Sequence, residues 1–346
     1  MPAKPTPTPP AVDTTSAAPP DSPRPHHWLV WADAERIAPV SALVDTLGDA
    51  IAIAGVGGSR DTTVAQFAKA HDTALSDDLR ALIASTEVDG LLIASAEGVG
   101  PTDLALAVDN GVEVRATELP LTNLADLRTA LGTEGGPKGE SPLIITPAVA
   151  RLPGLAKASD PMQTLGDPRA VHVRHVGPSQ AGTVWTRLVD AWLAVLTFGA
   201  MPETIDATLR SAAARQPDDP LAVHGTVLAH GRGLKSAAAT VVVSDQAIAT
   251  RRRLEVFAAH GTLELTDHAF LVLADGDPPV DGTPDPHTPA DPADLLADHW
   301  RQLDTQPESH PKLARLRQAV ACGLATLLSA RTAQPESPHS LLEIDR

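Results

Sequence analysis

The sequence lacks tyrosine altogether and has a single cysteine, and aromatic residues make up only 3% of it. One cysteine, Cys322, cannot form a disulfide within the chain, which excludes a disulfide-stabilised small domain. Cys322 lies in an apolar stretch of helical pattern with no candidate base beside it, so we expect a buried structural thiol. No apolar run approaches the ~18 residues of a membrane-spanning helix, and the first residues lack the apolar core of a signal peptide. We therefore expect a cytoplasmic protein without membrane contact.

Basic residues are also scarce, since 27 Lys and Arg stand against 43 Asp and Glu and give a net charge of −16. This charge repels phosphate backbones and anionic lipids, and no cluster of cations is present that could release counterions. Binding to nucleic acid or to a membrane surface is therefore excluded. The adjacent pair His26 and His27 has no further candidate ligands nearby, so we predict no metal site.

The 346 residues are enough for two domains. Residues 1–26 are mostly Pro, Ala, Thr and Ser, with almost no large apolar side chains whose burial could offset the entropy of ordering. We predict a disordered tail over residues 1–26, a first domain over residues 27–147 and a second domain over residues 148–346.

The first domain shows the alternation of short apolar runs and amphipathic stretches that is typical of β-α-β units. Residues 28–32 predict the first strand, and apolar residues three and four positions apart between Ile37 and Leu47 predict the helix after it. Residues 88–95, VDGLLIAS, are almost continuously apolar, as expected of a strand covered on both faces. The pattern predicts an α/β, Rossmann-like domain with a parallel sheet.

The second domain follows a linker-like passage that ends near Asp167. Turn residues separate six β-type runs, at residues 170–176, 223–229, 237–244, 254–258, 262–265 and 270–274. One helix is predicted among them and two near the end of the chain, after a loop at 277–294; they cover residues 185–198, 295–303 and 312–330. The pattern predicts an α+β domain with a mostly antiparallel meander and terminal helices.

The sequence resembles the Gfo/Idh/MocA oxidoreductases in four segments that keep the order and spacing of that family. They are DDLRALIASTEVDGLLIAS at 77–95, LALAVDNGVEV at 104–114, TELPL at 117–121 and LGDPRAVHVRH at 165–175. In the family, a Rossmann domain with a VDAVxIATP-type strand, an ALEAGKHV-type helix and strand and an EKP motif precedes an antiparallel-sheet domain. The resemblance implies this fold, NAD(P) as cofactor and a sugar-like or cyclitol substrate.

The resemblance also assigns positions in the phosphate-binding turn. Aligned on Arg36 and the two residues after it, the three glycine positions fall on Asp33, Glu35 and Ala38. Glycine allows the backbone amides and the helix end to approach the pyrophosphate, whereas each carboxylate there opposes binding by roughly a few kcal/mol. We therefore predict that ordinary cofactor binding is lost. Alternatively, Asp33 or Glu35 caps the helix as an acid at its positive end.

The position of the acid that would bind the adenosine ribose falls on the pair Gly57 and Gly58, at the end of the second strand. Arg60 could instead favour a ribose phosphate, although a lone arginine after a strand is more often a solvated surface group. Three further cofactor-binding positions are implied by the resemblance: Ser95, Glu118 and Pro120.

Both catalytic positions implied by the resemblance are apolar. The EKP lysine, which lies near the nicotinamide and the substrate, falls on Leu119. The histidine that serves as acid or base on the first helix of the second domain falls on Val189. Neither side chain can exchange a proton with a substrate hydroxyl. Asp190 and Arg187 are close by and could substitute after a small shift of register.

These replacements occur together while the apolar core pattern is intact, which is the pattern of a pseudoenzyme. We expect a homologue with impaired or lost NAD(P) binding and catalysis, acting as a scaffold, an oligomeric partner or a small-ligand binder. Its partner would be a second copy or a paralogous oxidoreductase, because family members commonly pair through the open face of the antiparallel sheet. The alternative is an active NAD(P)-dependent oxidoreductase with a divergent cofactor site.

A third hypothesis is that the cleft between the domains binds a sugar or another metabolite without chemistry. Its candidate polar lining is Arg187, Asp190, Arg251, Arg252 and Arg253. The three consecutive arginines also fit a solvated strand edge.

Overall fold

The computed structural model describes residues 25–132, 141–146, 149, 158, 162–199, 201–211, 217–233, 238–267, 269–282, 292–305 and 312–344. Within them it contains a six-stranded sheet followed by an eight-stranded sheet. The predicted fold class, a Rossmann-like α/β domain followed by an α+β domain, is confirmed. The linker predicted to end near Asp167 lies mostly outside the described residues.

The first sheet is entirely parallel, and its helices lie between successive strands. The strands are β1 His26–Ala32, β2 Ile51–Gly58, β3 Leu75–Ser76, β4 Gly90–Ile93, β5 Glu113–Ala116 and β6 Leu143–Ile145. The helices are α1 Ile37–Leu47, α2 Thr62–Ala70, α3 Leu79–Ser85, α4 Pro101–Asp109 and α5 Leu124–Leu131. The strand order is β3-β2-β1-β4-β5-β6, so the order reverses at β1. Ligands of open α/β sheets bind at such a reversal, beside the carboxyl ends of the strands.

Strand β1 begins two residues earlier than predicted. His26 is paired with Ile51 of β2, so the predicted tail over 1–26 ends one residue too late. Composition could not show this, because His26 is exposed and is held by backbone pairing rather than by burial. Residues 1–24 of the predicted tail lie outside the described residues.

The second sheet is mixed, with strand order β14-β13-β12-β11-β7-β10-β9-β8. Its strands are β7 Pro168–Pro178, β8 Thr204–Arg210, β9 Thr226–Arg232, β10 Ala238–Ser244, β11 Gln246–Ala258, β12 Gly261–Thr266, β13 Phe270–Ala274 and β14 Val280–Asp281. The prediction of a simple meander is wrong where β10 pairs with β7, because that pair is parallel. It also missed β8, whose apolar residues are few, and the two-residue edge strand β14.

Helices cover one face of this sheet. Helix α6, Val184–Phe198, packs against β7 and β10, and helix α8, Leu313–Thr332, packs against α6 and β8. A short helix, α9 Pro338–Ile344, packs on α8. Cys322 is buried on α8, as predicted, and burial raises the pKa of its thiol. No helix in the described part of the chain is long and apolar enough to cross a membrane.

The remaining helix, α7 Pro292–Thr305, returns to the first domain. It packs beside α1, and Arg301 donates a hydrogen bond of 2.9 Å to the carbonyl oxygen of Thr46. Trp300 is 2% exposed, and its ring centroid lies 4.4 Å from that of Trp28 on β1. The guanidinium of Arg115 on β5 lies over both indole rings. The two sheets are therefore joined by a C-terminal helix as well as by the chain between them.

Candidate functional site

The two domains enclose a cavity of about 1090 Å³. On the first domain its wall includes residues that directly follow the strands: Ala94 after β4, Thr117 after β5 and Thr146 after β6. The titratable groups of the wall are Arg36, Glu118, Arg174, His175, Arg187, Asp190, Arg251, Arg252, Arg253, Glu264, Asp267 and Asp281. The cavity thus lies at the carboxyl ends of the parallel strands, where this class of fold binds ligands.

The turn after β1 is closed by an ion-pair chain. Arg36 pairs with Asp33, and its Nη2 lies 3.1 Å from Oε1 of Glu118 at the end of β5. Burial alone would lower the pKa of Arg36, but Glu118 and Asp33 together outweigh it and raise that pKa. The backbone N–H of Arg36 also donates to Oδ1 of Asp33, at 3.1 Å. We call Asp33, Arg36 and Glu118 the closing triad.

The capping alternative for the two acids fits only in part. Asp33 accepts from the residue that precedes helix α1, but that helix has no side-chain cap at its N-terminus. Glu35 is exposed.

Glu118 links the two domains. Its side chain is 1% exposed, and Oε1 also accepts from the backbone N–H of Thr183, the N-cap residue of α6, at 2.7 Å. The next residue makes a second hydrogen bond between the domains, because the N–H of Leu119 donates to Oγ1 of Thr186 at 2.8 Å. Burial raises the pKa of Glu118 despite the nearby Arg36, and Oε2 has no partner among the described residues.

The two positions implied to be catalytic do not reach the cavity. The side chains of Leu119 and Val189 are fully buried, and neither belongs to the cavity wall. Val189 faces helix α8, since a Cβ on Gly323 of that helix would lie 3.3 Å from its Cγ2. Both positions therefore hold core residues rather than groups that could exchange a proton.

Most of the implied cofactor positions also lie away from the cavity. Only Glu118 belongs to its wall, whereas Asp33, Glu35, Ala38, Gly58, Ser95 and Pro120 do not. Ser95 is buried after β4, and its Oγ accepts from the N–H of Glu97 at 3.3 Å. Arg60 is exposed and pairs with Asp77 at 2.5 Å, which fits the surface role considered for it.

Gly58 shows why the ribose-binding acid is absent. Its φ is +122°, a conformation that L residues rarely adopt. A Cβ at this position would lie 2.0 Å from the carbonyl oxygen of Ala32 on the neighbouring strand β1. The backbone therefore excludes any side chain at the end of β2, acidic or otherwise.

The residues present do not fit NAD(P) as the dinucleotide fold binds it. Carboxylates occupy two positions of the turn that the resemblance assigns to glycine. Arg36 is already paired within the closing triad, and Gly58 excludes a side chain where the resemblance places the ribose acid. The cavity wall contains neither the residues of the turn at positions 33–35 nor the end of β2. We therefore derive no chemistry through this cofactor.

His175 and Asp190 form a buried polar pair in the cavity wall. Nδ1 of His175 lies 3.0 Å from Oδ2 of Asp190. Both carboxylate oxygens of Asp190 also accept from the N–H of Val149. Burial lowers the pKa of His175, so its imidazole is neutral near pH 7. Sequence reasoning missed His175, although its place after Val171 and Val173 in the inward-facing alternation of β7 marks a polar residue on a buried face.

The three consecutive arginines are not one solvated edge. Strand β11 lies between β12 and β7, so it is an interior strand. Arg251 and Arg253 are exposed, but Arg252 is 4% exposed and its Nε lies 2.6 Å from Oδ1 of Asp267. The edge interpretation is therefore wrong for Arg252, because alternation along an interior strand turns every second side chain inward.

No group of three or more His, Cys, Asp or Glu that could hold a metal ion occurs within the residues that the structure describes.

Solved structures of several oxidoreductases have a fold similar to that of this chain. An oxidoreductase from Thermotoga maritima matches with a TM-score of 0.63 at 15% identity, over 92% of this chain and 100% of the other. UDP-N-acetylglucosamine 3-dehydrogenase from Acidithiobacillus ferrooxidans matches with a TM-score of 0.65 at 16% identity, over 89% and 98%. Levoglucosan dehydrogenase, in complex with NADH and levoglucosan, matches with a TM-score of 0.67 at 12% identity, over 90% and 99%.

No family model matches the sequence, and no curated protein matches it. The structural matches confirm that the chain has the two-domain fold of the Gfo/Idh/MocA-type oxidoreductases, as its sequence motifs predicted.

Proposed function

We propose that this protein binds a small polar molecule in the cleft between its domains and has lost ordinary NAD(P) binding and hydride transfer. The observation that carries the proposal is the closing triad. Its guanidinium is already paired with two carboxylates where the fold would receive a pyrophosphate. A pyrophosphate could use this half-buried guanidinium only by displacing or sharing one of its two carboxylates, so Arg36 would add little to cofactor affinity.

The preserved cavity supports the ligand-binding half of the proposal. A volume of about 1090 Å³ is slightly above the roughly 300–1,000 Å³ range of small-molecule pockets, so the cavity is large enough for a small molecule. Polar groups converge on it from both domains, Glu118 and Thr146 from the first and His175 and Arg187 from the second. The similar levoglucosan and UDP-N-acetylglucosamine dehydrogenases act on sugar-type molecules, which makes a polar metabolite of comparable size the natural occupant.

The protein's thermal unfolding temperature tests the cofactor half of the proposal. A ligand that binds only the folded state adds about 2.7 kcal/mol of stability at 100 times its Kd, which shifts the midpoint by several degrees. We expect no such shift with NADH or NADPH at about 1 mM. A ligand whose binding free energy is only about −4 kcal/mol has a Kd near that concentration, so even such weak binding would begin to raise the unfolding temperature. A clear shift with either cofactor at micromolar concentration would contradict the proposal.

One observation favours the second candidate, an active oxidoreductase with a divergent cofactor site. The pair of His175 and Asp190 places a neutral imidazole beside a carboxylate in the cavity wall, an arrangement suited to accepting a proton from a substrate hydroxyl. Cofactor-dependent turnover of a sugar or cyclitol that disappears in the variant His175→Gln would establish this candidate. The absence of cofactor binding would exclude it.

We also propose that the second sheet pairs with another copy or with a paralogous oxidoreductase through the face on which no described helix packs. Helices α6 and α8 pack on the opposite face, and Leu228, Phe257 and Leu273 are 37–44% exposed on this one. Phe257 and Leu273 flank Thr262 in register across three adjacent strands. Sedimentation velocity at several concentrations should show a dimer that Phe257→Glu weakens. A strictly monomeric chain would leave only the paralogue as partner. If the chain also formed no complex with a paralogue, the pairing proposal would be rejected.

A further inference from the structure

We propose that the ligand of the cleft is a hydroxy acid whose carboxylate pairs with Arg187, rather than a neutral polyol. This inference rests on the proposed ligand-binding function and adds the chemical class of the ligand. It depends on the position of one buried guanidinium, on the donors it leaves free and on the charges that surround it.

Arg187 is held rigidly by backbone carbonyl groups. It is 1% exposed and belongs to the cavity wall. Nη1 donates to the carbonyl oxygens of Gly177 and Ser244, at 3.2 and 2.8 Å, and Nη2 donates to that of Pro178 at 2.6 Å. These bonds orient the guanidinium without neutralising it, since each acceptor is an uncharged carbonyl.

One edge of the guanidinium has bonding capacity left. Nε is buried without an acceptor in the described part of the chain, and the only acceptor of Nη2 there is Pro178. An arginine presents Nε and Nη2 side by side, in the spacing that matches the two oxygens of a carboxylate. Gly182 leaves room beside Nε, because a Cβ on Gly182 would lie 3.9 Å from that atom, whereas Thr250 lies beside Gly177 on the Nη2 side.

The charges around the cavity favour an anion at this place. Arg36 pairs with Glu118, Arg252 with Asp267, and Arg253 with Glu255 and Glu264. Among the described residues no carboxylate lies within ion-pair distance of Arg187. Burial lowers its pKa to about 10, and the more distant Asp245 and Glu118 offset this effect only in part. A buried cation that contacts no carboxylate is costly, so a bound carboxylate would stabilise it.

A second group beside Arg187 defines the other end of the ligand. Oε1 of Glu118 lies 3.8 Å from the Cβ position of Gly182, on the same side as Nε of Arg187, and Oε2 of Glu118 has no donor in the described residues. An acceptor in this position calls for a hydroxyl that can donate to it. A molecule that carries both a carboxylate and a hydroxyl would supply the partners of Arg187 and Glu118 together.

Paired probes can test the assignment by calorimetry on the full chain. The acids are L-lactate, L-tartrate and D-gluconate, and the neutral partners are propane-1,2-diol, L-threitol and sorbitol. We expect at least one acid to bind and its neutral partner to bind at least about tenfold more weakly, as the loss of a charge-assisted bond implies. The variant Arg187→Lys keeps a cation but loses the planar edge, and should weaken binding of that acid by about tenfold or more. The surface variant Arg60→Lys is the matched control and should bind like the wild type.

Three results separate the possible failures. Equal binding of an acid and its neutral partner, unchanged in Arg187→Lys, would overturn the carboxylate assignment and leave the proposed ligand-binding function standing. Binding of none of the three acids would also overturn the assignment. Tight binding of NADH would instead overturn the proposed function itself. Because Arg187→Lys disturbs the carbonyl contacts, its folding is checked by circular dichroism. The comparison of each acid with its neutral partner on the wild type tests the assignment independently of the variant.

Discussion

Replacing Gly58 with alanine is expected to lower the free energy of unfolding by about 4 kcal/mol. The φ of +122° costs an L residue roughly 1–3 kcal/mol, and forcing a methyl group into a packed site costs a further 1–3 kcal/mol. The obstacle here is backbone, since the Cβ would lie 2.0 Å from the carbonyl oxygen of Ala32 and cannot be relieved by rotating a side chain. Urea unfolding followed by tryptophan fluorescence would measure the change.

Gly111→Ala is the matched control for this experiment. Gly111 also has a positive φ, of +74°, but nothing lies within 4 Å of its Cβ position. Alanine there should cost only about 1 kcal/mol. Similar losses in the two variants would show that β1 and β2 are not in close contact at Gly58, and the end of β2 could then accept a ribose-binding acid. A much larger loss at Gly58 would mean that the acid cannot be restored by one substitution.

Replacing Trp300 with alanine is expected to cost about 4 kcal/mol, in the range found for buried tryptophans. The indole fills the space between α7 and the first sheet, where it contacts Trp28 and covers the guanidinium of Arg115 at 4.3 Å. Its removal leaves a large void and exposes one face of a cation that is 1% exposed in the wild type. The midpoint of urea unfolding and its slope would both be measured.

Trp300→Phe separates the two contributions, because phenylalanine keeps an aromatic face over Arg115 and loses only part of the volume. We expect it to retain more than half of the stability that alanine loses. If Trp300→Ala were no less stable than the wild type, α7 would not be docked on the first domain, and the cavity wall that Ala293 and Leu296 of α7 complete would be incorrect.

The order of elements in the first domain could be predicted from sequence, because each parallel strand is a short apolar run and each helix a stripe of apolar residues. The second sheet was harder. The parallel pairing of β10 with β7 is a choice of neighbour and direction that alternation along one strand does not encode. Strand β8, TIDATLR, was missed because it offers only Ile205, Ala207 and Leu209 as apolar residues.

The site was only partly predictable from sequence, because it depends on which elements are neighbours in the fold. The resemblance assigned Leu119 and Val189 to the catalytic positions, and the structure shows why they are apolar, since both are buried in the core. It could not show that Arg36 bridges Asp33 and Glu118, because Glu118 is 82 positions from Arg36 and the two meet only when β4 pairs with both β1 and β5. His175 was missed for the same reason, since its partner Asp190 comes from a different element.

The most direct test of the central claim is a fluorescence titration of NADH against the wild type and the double variant Asp33→Gly/Glu35→Gly. If the closing triad and the acidic turn prevent cofactor binding, the wild type will show no saturable signal with NADH up to about 1 mM. The double variant lacks the two carboxylates that repel the pyrophosphate, so it will bind NADH more tightly than the wild type. Saturable binding of NADH to the wild type at micromolar concentration would contradict the claim.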